Sequence, residues 1–414
     1  MTDDPRAARL MQDLARLADI GVDPAGGWTR RAFSPADVEA HDWFCGRARE
    51  AGLEVRFDAF GNVVARREGR AGPGAPALVM GSHLDTVPNG GPLDGALGVL
   101  AGLEVARRLI ETDAIGMRAI EVVAFRDEEG RFGSLPGSRA MSGRLSAEEV
   151  ARLKSADGVA LAAAMAAAGF DPARVGEAAR PPGAIAAYLE LHIEQGPVLE
   201  AAGRPVGIVT AIAGQTRWRF DFQGAPDHAG TTPMGMRRDA FAAAARFADR
   251  FRDMILAEGG AHTRGTIGFL KLTPNAGNVV PGRVQLGLEI RDVEAGRPQA
   301  LGDRAVALAE AIAPQFGVSV AAARLNAAPT VAMDAGLAAL LTGAARDCGC
   351  EPLSLPSGAG HDAGIIAAVA PAAMLFAPSI GGRSHCPEEA TDHRDVAVAL
   401  AVLERAMRRL CAVP

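Results

Sequence analysis

The stretch GSHLDTVPNGGPLDGALG, residues 81–98, sets His83, Asp85 and Asp94 on one turn-rich segment behind an apolar run, Ala77–Met80. A solvated turn explains the glycines and one aspartate. It does not explain an apolar run that stops at a histidine. Three further segments repeat the pattern. RDEEG, with Asp127, Glu128 and Glu129, follows AIEVVAF; His192 ends AIAAYLELH; His385 stands in RSHCPEE, beyond AAMLFAP. In an open α/β sheet, ligands gather outside the carboxyl ends of the strands. Four strand exits carrying imidazoles and carboxylates therefore predict one shared site at such an edge. Histidine and carboxylate without cysteine suit zinc, manganese or cobalt with open positions, whereas an all-oxygen set favours magnesium. Each segment alone has a plainer reading: a structural histidine, a charged turn, or, for SGAGHDA, a helix start with a glycine hinge. The conjunction carries the expectation.

The elements that must position these groups follow from the pattern of the chain. SPADVEAHDWFCGRAREAG has Ser34 as N-cap, Pro35 in the first turn and Gly52 as the stop. LEVRFDAFGNVVARR alternates around a Gly-Asn turn and predicts a hairpin. Strands at 77–80, 119–125 and 184–192 alternate with helices at 95–111 and 146–170, the α/β rhythm. Near Gly207 the rhythm changes. Strands GIVTAI and TRWRFDFQG, a helix at 237–257, strands GTIGFLKLT and RVQLGLEIRD, a helix near 298–315 and strand VSVAAARL form an inserted α+β unit. The α/β pattern then returns. The expected division is a catalytic domain in two parts, 1–207 and 326–414, interrupted by an insert at 208–325.

The chain has 414 residues, 49% of them hydrophobic and 22% charged, which fits a globular protein of more than one domain. A net charge of −6 gives no reason to expect nucleic acid or anionic membrane as a partner. No stretch reads as a membrane span, and MTDDPRAARL lacks an apolar signal core. Five scattered cysteines point to a reducing, cytoplasmic setting, with Cys348 and Cys350 as packing residues.

The motifs GSHLDTV…LDGALG, DEEG, ELHIEQGPVLE, GAPDHAGTTPMGMRRDA, NVVPG and GRSHCPEE resemble the di-metal amidohydrolases of the M20 peptidase clan. HIEQGPVLE and DHAGTTPM resemble most the branch of N-carbamoyl-L-amino-acid hydrolases, β-ureidopropionases and allantoate amidohydrolases. The likeness implies a di-zinc-peptidase-like α/β catalytic domain with an inserted ferredoxin-like domain that serves as lid and homodimer surface. It implies two divalent ions per subunit, zinc first and manganese, cobalt or nickel as substitutes. His83 and His192 would hold one ion, Glu129 and His385 the other, with Asp94 between them. Asp85 would orient the His83 ring, and Glu128 would be the general base. Two cations about 3.5–4 Å apart need an anionic bridge and lower the pKa of a shared water. Alternation along an extended strand would send Glu128 and Glu129 to opposite sides.

The same likeness gives His228 a carbonyl-polarising role in the partner subunit's site. Gln195, Asn278, Arg291 and the backbone at Gly360 would hold the carboxylate of a small ureido substrate. The plainer reading of Arg291 is a strand-end charge paired with Asp292. DEEGRFG lacks a residue expected between Gly130 and Arg131, and Pro226 interrupts GAPDHAG, so the Arg131 loop and His228 depart most from the pattern. Hydrolysis of an N-carbamoyl-L-amino acid is the expected activity. Allantoate or a β-ureido acid is the rival substrate, then an acylated amino acid or dipeptide. A metal-free binding protein is the reading from another class.

Overall fold

The computed structural model describes residues 5–413. Their contacts define two compact units, one ending at Thr210 and resuming at Met333, the other spanning Ala211–Ala332. The expected boundaries at 208 and 325 both fall inside strands. Gly207–Ile212 carries the chain across, and the last long strand of the insert runs on to Ala328. Val331 and Ala332 then pair with Ile212 and Ala211.

The first unit is built on β1 (Glu54–Phe57), β2 (Val63–Arg67), β3 (Ala77–His83), β4 (Ile120–Phe125), β5 (Ile185–Ile193) and β6 (Gly207–Ile212). The second contributes β7 (Gly214–Gln223), β8 (Arg264–Thr273), β9 (Arg283–Asp292) and β10 (Ser319–Ala328). Then come β11 (Val331–Ala332), β12 (Leu353–Ser357) and β13 (Ala372–Ala377). Among the described residues the large sheet runs β1-β2-β4-β3-β5-β13-β6-β11, with β12 beside β6. Its centre, β4-β3-β5-β13, is wholly parallel. Every residue of β3, β4 and β13 is buried, as expected of parallel strands covered on both faces. His83, the Asp127–Glu129 segment, His192 and the His385 loop all leave this block at its carboxyl edge. Adjacency in the sheet, with no adjacency in sequence, is what brings the four segments together.

The main core packs these strands against the helices Pro5–Leu17, Ala96–Glu111, Ala335–Asp347 and His393–Cys411, with Cys348 and Cys350 packed at its margin. Three expectations need correction. GIVTAI, expected as a strand of the insert, pairs with β13 in the large sheet. The helix expected at 146–170 is two short ones, Ala147–Arg152 and Leu161–Ala167, because Ser155 and Gly158 form a turn between them. The helix expected from Arg237 begins at Ala240, because Asp239 is its N-cap and accepts from the amides of Phe241 and Ala242.

The insert is an antiparallel sheet in the order β10-β7-β9-β8, with helices Ala240–Glu258 and Arg297–Ile312 between strands. This β-α-β-β-α-β order is ferredoxin-like. Along β7 the buried Trp218, Phe220 and Phe222 alternate with the exposed Arg217 and Arg219, the period of a sheet covered on one face. The buried ones pack with Phe247 and Phe251 of the first helix.

One turn fixes the entry to the helix Ala96–Glu111. Gly95 has φ +65°, and an added Cβ would lie 2.4–2.5 Å from the carbons of the His83 ring. Gly95→Ala combines backbone strain with that clash and should cost about 1–3 kcal/mol, read by chemical denaturation. Unchanged stability would refute this close packing.

Candidate metal centre

The Asp94 carboxylate stands between imidazoles. Its Oδ1 lies 3.1 Å from His192 Nε2 and 3.5 Å from His83 Nε2; its Oδ2 lies 3.3 Å from His385 Nε2. Glu129 Oε2 approaches His385 Nε2 at 3.5 Å, and Glu128 Oε2 approaches His83 Nε2 at 3.6 Å. Two donor sets result, His83–Asp94–His192 and Asp94–Glu129–His385, each with its donor atoms within 4.8 Å of one another. Glu128 and Glu129 thus approach different histidines, although both also group with His83 within 4.8 Å. They do so from a turn, with Asp127 at φ +66°, and not by alternation along a strand.

The rings are oriented by backbone. His83 Nδ1 donates to the carbonyl of Asp85 at 3.0 Å, and His192 Nδ1 to that of Ile193 at 2.8 Å. Both rings therefore turn Nε2 to Asp94. The Asp85 carboxylate makes its hydrogen bonds elsewhere than on the ring. Its oxygens accept from the amides of Glu128 and Glu129, each at 3.2 Å, and the nearer one stays 3.7 Å from His83 Nδ1. Asp85 thus fixes the turn that aims both glutamates. Asp94 also accepts from Gln195 Nε2 at 2.7 Å and from Ser384 Oγ at 3.0 Å. His192 Nε2 and Glu129 Oε1 are buried and make no hydrogen bond, the state expected of atoms that serve a cation.

Several neighbours escaped sequence reading. His361 packs its ring 4.5 Å from that of His192, and its Nε2 meets Ser357 Oγ at 2.8 Å. Glu190 lies two residues before His192 on β5 and forms a further donor group with His192 and His361. It also takes the Ser82 hydroxyl at 2.8 Å and the Ala363 amide at 2.8 Å. His361 and Asp362 lie in SGAGHDA and Glu389 in GRSHCPEE, so the segments were visible although the roles were not.

The expected substrate residues separate by unit. Gln195 lies in the first, at φ +59°, on an open pocket of about 380 Å³ lined also by Ala359, Gly382, Arg383, Ser384 and His385. Gly360 is exposed in the following loop. In the insert, a two-residue ladder pairs Asp227–His228 with Val279–Val280. The Ala229 amide donates to the Asn278 carbonyl at 3.0 Å, which brings Asn278 beside an exposed His228. Arg291 lies on β9 with Nε 2.5 Å from Glu289 Oε1. It forms an ion pair with Glu289, while Asp292 binds Thr263 and Arg297.

Residues 79–409 match the sequence pattern of peptidase family M20/M25/M40. The chain belongs to that family. It is 44% identical over 398 residues to an N-carbamoyl-L-amino acid amidohydrolase of Geobacillus stearothermophilus, covering 95% of this chain and 96% of that one. An allantoate amidohydrolase of Bacillus subtilis is 37% identical over 95% of each chain. A solved hydantoinase/carbamoylase-family amidase of Burkholderia multivorans superposes with a TM-score of 0.89 at 34% identity, covering 99% of this chain and 98% of the other. Family and donor chemistry together assign a divalent-metal site to the carboxyl edge of β4-β3-β5-β13.

The charges in this M20-family site oppose one another strongly. Burial raises the Asp94 carboxyl, but His192, His385 and His83 overcome it and hold it well below the usual carboxylate range. Burial, then the charge of Asp94, pushes Glu129 up to about 7. Burial, against the pull of His83 and reinforced by Glu129, holds Glu128 well above the usual range. Asp94 lifts His385 to about 9. Burial and His192 keep His361 well below the usual imidazole value, hence neutral.

A raised His385 is protonated at pH 7 in the ion-free protein, and a ligand imidazole must be neutral. Zinc uptake at pH 7 should therefore release about one proton or more, and apparent affinity should climb as pH rises from 6 to 9. Titration calorimetry in buffers of different ionisation enthalpy measures the release. Uptake without proton release would contradict His385 as a ligand.

Proposed function

We propose that this chain is a two-metal amidohydrolase that cleaves the carbamoyl C–N bond of an N-carbamoyl-L-amino acid, yielding the amino acid, ammonia and carbon dioxide. The observation that carries the reading is Asp94, whose two oxygens face separate donor sets with Glu128 alongside. The relative from Geobacillus stearothermophilus supports the substrate class. His83 and His192 would hold one ion and Glu129 and His385 the other, both sharing Asp94. Zinc suits the mixed nitrogen and oxygen donors best, with manganese, cobalt or nickel as alternatives. Two bound divalent ions supply Lewis-acid polarisation of the ureido carbonyl and a nucleophilic water at neutral pH.

The chain's own residues do the rest. Glu128 takes the proton of the attacking water and returns it to the departing nitrogen. Its raised affinity for protons suits both halves of that transfer. Gln195 and the backbone at Gly360 line the substrate, and Asn278 and Arg291 hold its carboxylate. A guanidinium suits that clamp because its planar fork matches a carboxylate, and in this structure its Nε is held by Glu289. His228 polarises the scissile carbonyl from the insert of a second copy in a homodimer. The Bacillus subtilis relative favours allantoate as the alternative substrate, a ureido acid of the same chemistry.

Ammonia release from a panel of N-carbamoyl-L-amino acids, N-carbamoyl-β-alanine and allantoate, with zinc, manganese or cobalt added, separates these readings. Glu128→Gln should lower kcat by about 10²–10⁴-fold and keep both ions, whereas Glu129→Gln should lose metal. Equal metal loss in the two variants would reverse the assignment.

Mixing Glu128→Gln with His228→Ala subunits tests the dimer. With free exchange half the dimers are mixed, and about a quarter of all sites should recover activity. Exchange proven by a label, without recovery, would place His228 outside the partner's site.

A further inference from the structure

The bridging carboxylate has a support that the mechanism does not use. Glu389 is buried, 295 residues along the chain from Asp94. Its Oε1 accepts from the backbone amides of Leu93 and Asp94, at 2.9 and 3.0 Å. Its Oε2 accepts from Ser384 Oγ at 2.8 Å. One carboxylate thus ties the turn that carries Asp94 to the loop that carries His385. The turn is shaped for it. A Cβ on Gly91 would fall 2.2 Å from both Cδ and Oε1 of Glu389. Ser384 Oγ also lies 3.0 Å from Asp94 Oδ2, and one hydroxyl carries one proton. A cation on Oδ2 would take over that oxygen, leaving the hydroxyl to Glu389. The other donor set shares Asp94 but depends on Glu389 less, because its two imidazoles are oriented by the carbonyls of Asp85 and Ile193 and not through the Ser384–His385 loop.

We propose that Glu389 is a positioning residue: it holds Asp94 and His385 in register, and so sets the cation affinity of the Asp94–Glu129–His385 side. The proposal rests on the two-ion reading above. Partners that fix metal ligands typically govern affinity by about 10–100-fold. The full-length protein is stripped, then titrated with cobalt(II), and the ions are followed by visible absorption and by chelator competition. Wild type should take two ions. Glu389→Ala should bind one ion about 10–100-fold more weakly, with a changed cobalt spectrum, and weaken the other by clearly less. Glu389→Gln should restore most of the affinity, because its amide oxygen still accepts from both backbone amides. Gly91→Ala leaves the carboxylate in place but displaces it, and should reproduce the selective weakening.

Two tight ions in Glu389→Ala, with a wild-type spectrum, would overturn the proposal alone. So would equal weakening of both ions in the alanine and glutamine variants, since that marks a general structural role. A wild type that takes up only one ion would overturn the two-ion reading and this proposal with it.

Discussion

Everything in the first unit answers to one requirement: a single carboxylate, Asp94, must offer its two oxygens in two directions to histidines from three different segments. No regular element can do this alone. A helix start supplies the turn, with Gly95 in a conformation that only glycine adopts easily and close against the His83 ring. The imidazoles then arrive from β3, from β5 and from the loop beyond β13. Each has its ring or its loop fixed by hydrogen bonds, so the donor atoms meet without having to be pulled together.

The sheet order makes that meeting cheap in chain length. A parallel neighbour pair needs a crossover, and the crossovers here are a helix, a helical segment and the whole insert. The ligands are therefore far apart in sequence yet leave strands that are direct neighbours, β4-β3-β5-β13. Moving the insert between β5 and β13 costs the sheet nothing, because β6 and β11 leave and return beside each other at its far side. The catalytic fold is closed by pairing across the gap, and a folded domain hangs from two short strands.

Much of this was legible in the amino-acid pattern. Apolar runs that stop at His83 or His192 are rare enough to name a strand exit, and Ser34 and Gly52 behave as the cap and stop residues their chemistry implies. What stayed hidden depends on contacts between distant segments. Glu190 lies on the same β5 face as His192, yet a buried glutamate declares itself only when Ser82 and Ala363 are seen to bind it. Asp85 meets the His83 ring as its place in the sequence suggested, though through its backbone carbonyl, and the fold adds what the sequence hid, the Glu128–Glu129 amides on its carboxylate. Arg291 has the strand-end position expected of it but pairs with Glu289, because residues two apart lie on one face of a strand and neighbours do not.

The electrostatics then explain why so many carboxyls gather behind three imidazoles. Asp94 ionises readily only because His83, His192 and His385 face it, while burial first, with the neighbouring carboxylates added, leaves Glu128 and Glu129 reluctant to ionise. Burial pushes Asp362 up to about 8, with the charge of Glu190 acting in the same direction. Such an array is costly without compensating positive charge, since buried carboxylates repel at short range in a medium that screens poorly. Two divalent ions would reverse the balance, drawing protons off the imidazoles and the glutamate that serve as ligands while leaving Glu128 able to carry one. The arrangement that leaves the ion-free site short of positive charge is the one that would give a loaded site both its ligands and its base.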